Sequence, residues 1–410
     1  MIKSRRLHSE TIAASHGVAT DPTFGAIAPP LYLSTTYAFS GFGQAGPYDY
    51  GRAGNPTRDL LSEALAKLEG GAGAVVTSSG MAAIDLVLGQ LSGDDLIVAP
   101  HDCYGGTMRL LKARAQRRHF QLDFVDQTDL DAVAQACKRH PALVFIETPS
   151  NPLMRVVDIT ALCQMAHAVG AKVAVDNTFL SPACQRPITL GADYVVHSTT
   201  KFLNGHSDVI GGAIIAADGA DVTALKQWCN IIGTAGSPFD AWLTLRGLRS
   251  LFARTAQQQA TAMTLATFLA QHPAVAKVHY PGLPTDCGHL LADLQQSGFG
   301  AMLSFELSGG EQAVRHFVSN ISVLTLAESL GGVESLIAHP ATMTHADMGE
   351  EARQAAGIGN NLLRMSVGLE HCEDLLADLE QALQGSTQNS IPLCRYEELA
   401  RAENARKTER

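Results

Sequence analysis

The sequence lacks an apolar run long enough to cross a bilayer, and its basic N-terminus lacks the apolar core of a secretion signal. It also lacks the positive excess that nucleic-acid-binding surfaces need, because its formal net charge is −10 at pH 7. Charged residues make up 17% of the chain, whereas hydrophobic residues make up 46%. We therefore expect a folded, cytoplasmic protein that binds neither membranes nor nucleic acid.

Cysteine and histidine are present, but without the spacing of disulfide frameworks or zinc sites. The eight cysteines form no C-x-x-C pair, and a chain of this length does not need disulfides, so reduced thiols are expected. His339 and His345 do not have the i, i+4 spacing of a helical zinc pair. The sequence therefore predicts no metal site.

The order of segments predicts two domains with an addition at each end. At 410 residues the chain is longer than a typical single domain. Residues 1–56 are rich in Gly, Pro, Ser and Tyr and show little helical period, so we expect an arm that wraps another body. Residues 57–255 are assigned to a large domain, 256–385 to a smaller C-terminal α/β domain and 386–410 to an appended tail.

Short apolar runs alternate with helix-length amphipathic stretches in the large domain. This pattern predicts an α/β fold with a mostly parallel, doubly wound sheet and helices on both faces. A long helical stretch at 239–271 is expected to lead out of this domain. In the smaller domain, strand-like runs at 301–307 and 362–367 alternate with predicted helices at 311–318 and 373–384. The strand-like runs of the large domain are 74–76, 95–99, 122–125, 143–146, 173–175, 194–196 and 210–216.

Polar residues follow several of these runs, at the edge of a parallel sheet where ligands bind. Ser79, Gly80 and Met81 follow the first predicted strand and open a helix, which suits phosphate binding. Ser and Gly also cap helices without any ligand. Asp176 follows the run at 173–175, where an acid can be a helix cap, a metal ligand or a counter-ion. Each of these signals is weak when it stands alone.

Lys201 ends a run of hydroxyl residues just after the predicted strand at 194–196. Ser198 and Thr200 precede it at positions i−3 and i−1, so their hydroxyls can hold a phosphate beside the amine. Asp176 belongs to the adjoining βα unit and can face the same pocket. A buried carboxylate keeps a pyridine nitrogen protonated, and a desolvated lysine forms an imine with an aldehyde. The combination predicts pyridoxal phosphate (PLP) bound to Lys201; a solvated surface lysine is the alternative.

Tyr104 and Arg364 complete this set of candidates. Tyr104 lies in the segment 101–106, where neighbouring glycines allow close approach, and it can stack on a ring or be a core tyrosine. Arg364 lies inside the strand-like run 362–367, where a buried guanidinium needs an anion. A substrate carboxylate or an internal acid could supply it. The sheet pattern alone would also suit a nucleotide-binding dehydrogenase or a non-catalytic binding protein.

Several short motifs, taken as a set, point to one family. They are Tyr50-Gly51-Arg52, Gly54-Asn55-Pro56-Thr57, Ser79-Gly80-Met81, Glu147-Thr148-Pro149-Ser150-Asn151-Pro152, Asp176-Asn177-Thr178, Ser198-Thr199-Thr200-Lys201 and Glu328-Ser329-Leu330-Gly331-Gly332. In these motifs, from about residue 8 to 384, the chain resembles the Cys/Met-metabolism PLP enzymes. The resemblance implies a PLP-dependent transferase of fold type I, aspartate aminotransferase-like, with a large mostly parallel sheet domain and a smaller C-terminal α/β domain. It also implies a homotetramer, a dimer of dimers with shared active sites.

The resemblance implies a role for each matching residue. Lys201 would carry the imine and shuttle protons, Asp176 would pair with the pyridine nitrogen, and Tyr104 would stack on the ring. The phosphate would be held by Ser79, Gly80, Met81, Ser198 and Thr200, helped by Tyr50 and Arg52 of a neighbouring subunit. Asn151 would lie near the ring hydroxyl. The residues expected to hold the amino-acid substrate are Arg364 and Ser329 at its amino-acid end and Asp49, Arg109, Asn230 and Glu328 at its distal end.

Within the family, the segments 101–106, 201–208 and 327–336 most resemble bacterial enzymes that join O-succinylhomoserine to L-cysteine. The implied reaction is a γ-replacement that gives cystathionine and succinate, the transsulfuration step of methionine biosynthesis. Ala53 stands where such enzymes often have a second arginine, so acetyl esters, lyase activity and sulfhydrylase activity stay open. Gly106 stands where methionine γ-lyases have a cysteine, which argues against that reaction.

Overall fold

The computed structural model describes residues 7–384, which form two sheets flanked by helices. The helices are α1 (Ser9–Ser15), α2 (Pro56–Glu69), α3 (Gly80–Leu88), α4 (Gly105–Gln116), α5 (Leu130–Cys137), α6 (Ile159–Ala168), α7 (Ser181–Cys184), α8 (Gly219–Ile232), α9 (Pro238–Leu248), α10 (Leu251–Gln271), α11 (His289–Gln295), α12 (Gly310–Asn320), α13 (Glu350–Ala356) and α14 (Cys372–Leu383). The strands are β1 (Gly73–Thr77), β2 (Leu96–Pro100), β3 (Gln121–Val125), β4 (Leu143–Glu147), β5 (Lys172–Asp176), β6 (Tyr194–Ser198), β7 (Gly212–Ala216), β8 (Val275–His279), β9 (Met302–Leu307), β10 (Thr325–Leu326), β11 (Leu336–Ala338) and β12 (Leu362–Ser366).

The larger sheet has seven strands in the order β1-β7-β6-β5-β4-β2-β3. Strands β6, β5, β4, β2 and β3 pair in parallel, whereas β7 pairs antiparallel with both β6 and β1. Each predicted strand of the large domain is present, with ends that differ by a few residues. The mostly parallel sheet predicted from the alternating pattern is therefore confirmed.

The strands of the larger sheet are apolar on both faces, because helices cover both. Phe145 on β4 and Ala174 on β5 pack towards α3, α4 and α8, whereas Val144 and Val173 pack towards α5 and α6. Side chains alternate between the two faces of a strand, so a sheet buried on both sides needs continuous apolar runs. This burial is what made the strands recognisable in the sequence.

The second sheet has five strands in the order β10-β11-β12-β9-β8 and is mostly antiparallel. Its inner face packs against α10, α12 and α14 through residues such as Phe305, Phe317 and Leu375. Strand β12 carries Arg364 towards the larger sheet. The smaller C-terminal α/β unit that the sequence predicts is therefore present.

Within the segment 1–56, which shows little helical period in the sequence, α1 forms and Ala13 packs into the core beside α2. One local prediction was wrong. The stretch 239–271 was expected to be one helix, but it is divided into α9 and α10. The helix is interrupted because the carbonyl of Gly247 accepts hydrogen bonds from the Ser250 amide and the Arg254 guanidinium instead of continuing the ladder.

The remaining predictions concern the domain boundaries, the C-terminal tail, membrane-spanning helices and metal sites. The boundary expected between residues 255 and 256 falls inside α10, and the domain limits stay a prediction. The tail at 386–410 lies outside the described residues. No helix in the described part of the chain is long and apolar enough to cross a membrane. Among residues 7–384, no cluster of three or more His, Cys, Asp or Glu side chains is arranged to hold a metal ion.

Candidate active site

A cavity of about 450 Å³ opens where β4, β5 and β6 end, between the larger sheet and β12. This is the carboxyl edge of the parallel strands, where the sequence placed the ligand site. The structure brings together here most of the predicted site residues. Those that line the cavity are Ser79, Gly80, Met81, Tyr104, Arg109, Asn151, Asp176, Ser198, Thr200, Lys201, Glu328, Ser329 and Arg364.

Lys201 lies in the turn that follows β6, and its Nζ donates a 3.0 Å hydrogen bond to Oγ of Ser329. Burial lowers the pKa of this amine to about 8, and the charge of Arg364 acts in the same direction, whereas Glu328 opposes the shift. A group that is largely desolvated prefers its neutral form, and for lysine this means a free amine. The site therefore holds an amine that can be nucleophilic or basic near neutral pH.

Asp176 is the last residue of β5, and its side chain lines the cavity. Its Oδ1 accepts hydrogen bonds from the Thr178 amide, at 3.0 Å, and from the Thr178 hydroxyl. Burial raises the pKa of this carboxyl above its ordinary value, although the Thr178 hydrogen bonds and the charge of His197 act to lower it. A buried carboxylate in this position stabilises a cationic partner, which a protonated pyridine nitrogen would be.

Glu147, the last residue of β4, is a cavity residue to which the sequence analysis gave no role. It lies opposite Asp176 in the strand register. Its two oxygens accept backbone hydrogen bonds from Tyr104 at 2.8 Å and from Asn151 at 3.0 Å. Burial raises the pKa of Glu147, and the charge of Asp176 raises it further. Glu147 could have been identified from the sequence as a candidate site residue, because it directly follows the predicted strand 143–146.

The position of the Tyr104 ring depends on the small residue at 106. A Cβ atom built on Gly106 would lie 2.5 Å from Cε1 of Tyr104 and 3.1 Å from Sδ of Met81. The ring of Tyr104 therefore occupies the space that any other side chain at position 106 would need. Tyr104 is 38% exposed and lines the cavity, so one part of it is open to a ligand rather than buried in the core.

The segment at the start of α3 fits closely against the turn after β6. Ser79 caps α3 by accepting a hydrogen bond from the Ala82 amide at 3.1 Å, and a Cβ on Gly80 would lie 2.8 Å from Cβ of Ser198. The amides of the first helical turn have no partner within the helix and attract anions. The Thr200 hydroxyl is hydrogen-bonded to the backbone of Gly211. This cradle suits a phosphate group.

Arg364 is 3% exposed on β12 and faces the cavity. It donates 3.0 Å hydrogen bonds from Nη1 to Oδ1 of Asn151 and from Nη2 to the carbonyl of Ser329. Its Nε is buried without a hydrogen-bond partner. Burial lowers the pKa of Arg364 to about 10, whereas the charge of Glu328 raises it, so Glu328 stays the internal alternative to a substrate carboxylate. The guanidinium can receive an anion from the cavity.

Four of the predicted site residues lie away from this cavity in the single chain. Arg52 donates a 3.0 Å hydrogen bond from Nε to Oδ1 of Asn230, and Asp49 and Arg52 line a separate cavity of about 270 Å³. Tyr50 is 51% exposed, and the Arg52 guanidinium lies 5.7 Å from its ring centre. The contributions of Asp49, Tyr50, Arg52 and Asn230 to a substrate or cofactor site stay a prediction.

The residues of the main cavity fit PLP. Lys201 supplies the amine, Asp176 a buried acid for the ring nitrogen, and the cradle at Gly80 and Ser198 a place for the phosphate. Tyr104 can cover one face of the ring. A dinucleotide would need a glycine-rich turn between a strand and a helix, whereas the turn between β1 and α3 consists of Ser78 and Ser79.

Comparison with known proteins gives one consistent result. The chain matches the family described as Cys/Met metabolism PLP-dependent enzyme over residues 10–384. It is 54% identical to cystathionine γ-synthase of Escherichia coli K12 over 379 residues, which is 92% of this chain and 98% of that protein. It is 45% identical to cystathionine β-lyase of Lactococcus lactis subsp. cremoris over 383 residues, or 93% and 99% of the two chains. A crystal structure of cystathionine γ-synthase from Xanthomonas oryzae pv. oryzae, in complex with aminoacrylate and cysteine, superposes with a TM-score of 0.92 at 55% identity, covering 93% of this chain and 99% of that one.

Proposed function

The chain belongs to the Cys/Met-metabolism family of PLP-dependent enzymes, and from this premise we propose that it joins O-succinylhomoserine to L-cysteine. In the proposed γ-replacement the Cγ–O bond of the ester breaks and a Cγ–S bond forms. The products are cystathionine and succinate, and the thiol proton is released to solvent. This reaction would serve methionine biosynthesis by transsulfuration.

One observation carries the proposal above the others. Arg364 lines the same cavity in which the Lys201 amine contacts Ser329, and its buried Nε has no hydrogen-bond partner. An α-amino acid bound by its carboxylate at Arg364 would bring its Cα near the lysine, as an enzyme acting on amino acids needs. The higher identity to a γ-synthase, 54% against 45% for a β-lyase, supports replacement over elimination.

Binding of the substrate would rest on two arginines that line the cavity, Arg364 and Arg109. Arg364 would hold the α-carboxylate, with its geometry fixed by the hydrogen bonds to Asn151 and to the Ser329 carbonyl. Arg109 also lines the cavity and would bind the distal carboxylate of a succinyl ester. Each hydrogen bond from a charged group to an anion is worth about 1.5–3 kcal/mol.

In the proposed mechanism, Lys201 would transfer the protons. When bound, PLP would delocalise the electron pair left on the substrate when a proton is removed. Asp176 would keep the ring nitrogen protonated, and Tyr104 would cover the ring face. Lys201, released as a neutral amine, would take the proton from Cα and then move one at Cβ so that the γ-substituent can leave. With a pKa of about 8, the free amine is neutral in a fraction of about one tenth at pH 7.

A lyase reaction of the same family is the second candidate. Its support is the 45% identity to a β-lyase over nearly the whole chain, together with Ala53 in place of a second arginine. A lyase would use the same lysine, acid and arginine but would release a keto acid and ammonia instead of accepting cysteine. The two reactions differ in the fate of the substrate, so product analysis separates them.

The proposed function is tested by incubating the PLP-loaded enzyme with O-succinylhomoserine, with and without L-cysteine. We expect cystathionine to form with cysteine present, at the expense of 2-oxobutanoate and ammonia. Cystathionine alone is the lyase substrate, and we expect its cleavage to be slow by comparison. If cysteine leaves 2-oxobutanoate unchanged and no cystathionine appears, the replacement reaction is wrong. The Lys201→Ala variant is the blank for both assays.

We also propose that the protein is a cytoplasmic homotetramer, a dimer of dimers that shares its active sites. The arm supports this, because it exposes large apolar side chains that a monomer would leave in water: Phe24, Ile27, Leu33, Phe39 and Phe42. Tyr50 and Arg52 lie on the same arm, away from the cavity of their own chain. A neighbouring subunit would bring them to a phosphate.

A further inference from the structure

A buried polar cluster lies behind the cofactor side of the larger sheet. Glu69, the last residue of α2, is 0% exposed, and so is His197 on β6. Oε1 of Glu69 accepts a 2.6 Å hydrogen bond from Nε2 of His197 and a 3.0 Å hydrogen bond from Nδ2 of Asn177. A fully buried carboxylate is expensive unless it is paired, so this cluster needs an explanation.

The two residues that donate hydrogen bonds to Glu69 are sequence neighbours of two residues expected to bind PLP. Asn177 directly follows Asp176, and His197 directly precedes Ser198. Neighbouring residues of an extended chain point to opposite faces, so Asp176 and Ser198 face the cavity while their neighbours turn away from it. The Glu69 carboxylate therefore bonds to the ends of β5 and β6 on the side that faces away from the cavity. These two strand ends carry Asp176 and Ser198, the acid and the hydroxyl expected to contact PLP.

The cluster also affects the pKa of the Asp176 carboxyl. Burial raises the pKa of the Asp176 carboxyl, and the positive charge that His197 carries when protonated is one of the effects that lower it. Glu69 holds the His197 ring by the 2.6 Å hydrogen bond, so it fixes the position of a group that acts on Asp176.

From this geometry we propose that Glu69 and His197 are positioning residues for PLP. They fix the ends of β5 and β6 so that Asp176 meets the ring nitrogen as a carboxylate and Ser198 meets the phosphate. Neither residue lines the cavity, so neither would touch PLP or substrate. PLP is the cofactor of the whole family, so these positioning roles are the same whether replacement or elimination is the reaction.

The test uses two substitutions of similar shape. Glu69→Gln removes the charge and keeps one oxygen acceptor, and His197→Gln keeps a donor near the Nε2 position but cannot carry a charge. For each purified full-length variant, PLP is removed and added back to measure the Kd for PLP and the visible absorption spectrum of the bound cofactor. Steady-state kcat and KM are then measured with the substrate that the wild-type enzyme turns over.

A matched control comes from a second His–Glu pair in the same chain. His279 and Glu306 lie in the smaller sheet, with their side chains 2.8 Å apart and away from the cavity. Glu306→Gln makes the same chemical change without altering the surroundings of PLP. It should leave the Kd for PLP, the spectrum and kcat within twofold of the wild-type values.

We expect Glu69→Gln and His197→Gln to weaken PLP binding and to shift the visible absorption spectrum. Both should lower kcat by about tenfold to a hundredfold, as misplacement of reacting groups does, with KM changed less than twofold. The proposal is overturned if either soluble variant binds PLP with wild-type Kd and spectrum, or changes no more than Glu306→Gln does. If Glu69→Gln is insoluble, His197→Gln decides alone. Both binding readouts are independent of the reaction, so failure here is separate from failure of the proposed function.

Discussion

The backbone amide of Tyr104 donates a 2.8 Å hydrogen bond to Oε2 of Glu147, a buried carboxylate at the end of β4. The other oxygen of Glu147 accepts from the amide of Asn151, whose side-chain oxygen in turn accepts from Arg364. One carboxylate thus joins the loop that carries Tyr104 to the loop whose Asn151 contacts Arg364. A second carboxylate also joins these loops, because Oδ2 of Asp102 accepts hydrogen bonds from Oγ of Ser150 at 2.9 Å and from Nη1 of Arg155 at 3.0 Å.

Replacing Glu147 by glutamine should lower kcat by about tenfold, because an amide has one acceptor oxygen for two backbone donors. A buried donor left without a partner costs about 1–3 kcal/mol. Glu370→Gln is the control, since Glu370 also accepts a backbone and a hydroxyl hydrogen bond, both from Ser335, but lies outside the cavity. It should alter thermal stability without altering kcat. Wild-type kcat in Glu147→Gln would show that the carboxylate does not position the site.

The dependence of kcat on pH should follow the amine of Lys201. Below its pKa of about 8 the freed amine is protonated and cannot accept a proton, so kcat should rise with pH and level above about pH 8. The charge of Glu328 raises this pKa, so Glu328→Gln should move the midpoint of the profile to lower pH. A midpoint that stays in place or moves upward in that variant would contradict the assignment of Lys201 as the base.

Arg364→Lys should raise KM for the amino-acid substrate by about tenfold to a hundredfold. Lysine cannot form the planar, two-point contact of a guanidinium, and a hydrogen bond to a charged group is worth about 1.5–3 kcal/mol. Arg315→Lys is a matched control, because Arg315 pairs with Glu311 on the exposed face of α12. Initial-rate measurements over a range of substrate concentrations separate KM from kcat. Equal KM values in the two variants would rule out Arg364 as the carboxylate-binding residue.

Gly106→Ala should displace the ring of Tyr104, since the new Cβ would lie 2.5 Å from Cε1. We expect an altered visible spectrum of bound PLP and kcat reduced by about tenfold, because a shift of about 1 Å at a reacting group has large effects on rate. Gly219→Ala adds the same atom at the start of α8, where nothing lies within 4 Å. An unchanged spectrum in Gly106→Ala would mean that Tyr104 does not contact the ring.

Shared active sites can be tested by mixing two inactive variants. Arg52→Ala and Lys201→Ala each damage every site when alone. If Arg52 serves a neighbour, a mixed dimer has one site with both residues intact, so unfolding and refolding the mixture should restore up to about a quarter of wild-type activity, the statistical expectation for random pairing of subunits. No recovery, with hybrid oligomers demonstrated by size and tagging, would contradict the assignment of Arg52 to the active site of a neighbouring subunit.

Part of this structure could be predicted from the sequence, because buried strands are recognisable as continuous apolar runs. The runs that became β4, β5 and β6 are apolar on both faces, and a side chain just past each such strand falls at a common edge. That rule found Asp176 and Lys201 and would equally have found Glu147. It could not find the break between α9 and α10, which depends on Arg254 reaching the carbonyl of Gly247.

The sequence by itself determined the alternation of strands and helices in the larger sheet, and its motifs indicated the family and the lysine predicted to bind PLP. Only the tertiary structure decided which distant groups meet: Glu69 with His197, Tyr104 with Glu147, and Arg364 with Asn151. It also decided the lowered pKa of Lys201 and the raised pKa of Asp176. The physical reason is that periodicity reports which face of a segment is buried. Desolvation and hydrogen bonding depend instead on what is packed against that face by other segments of the chain.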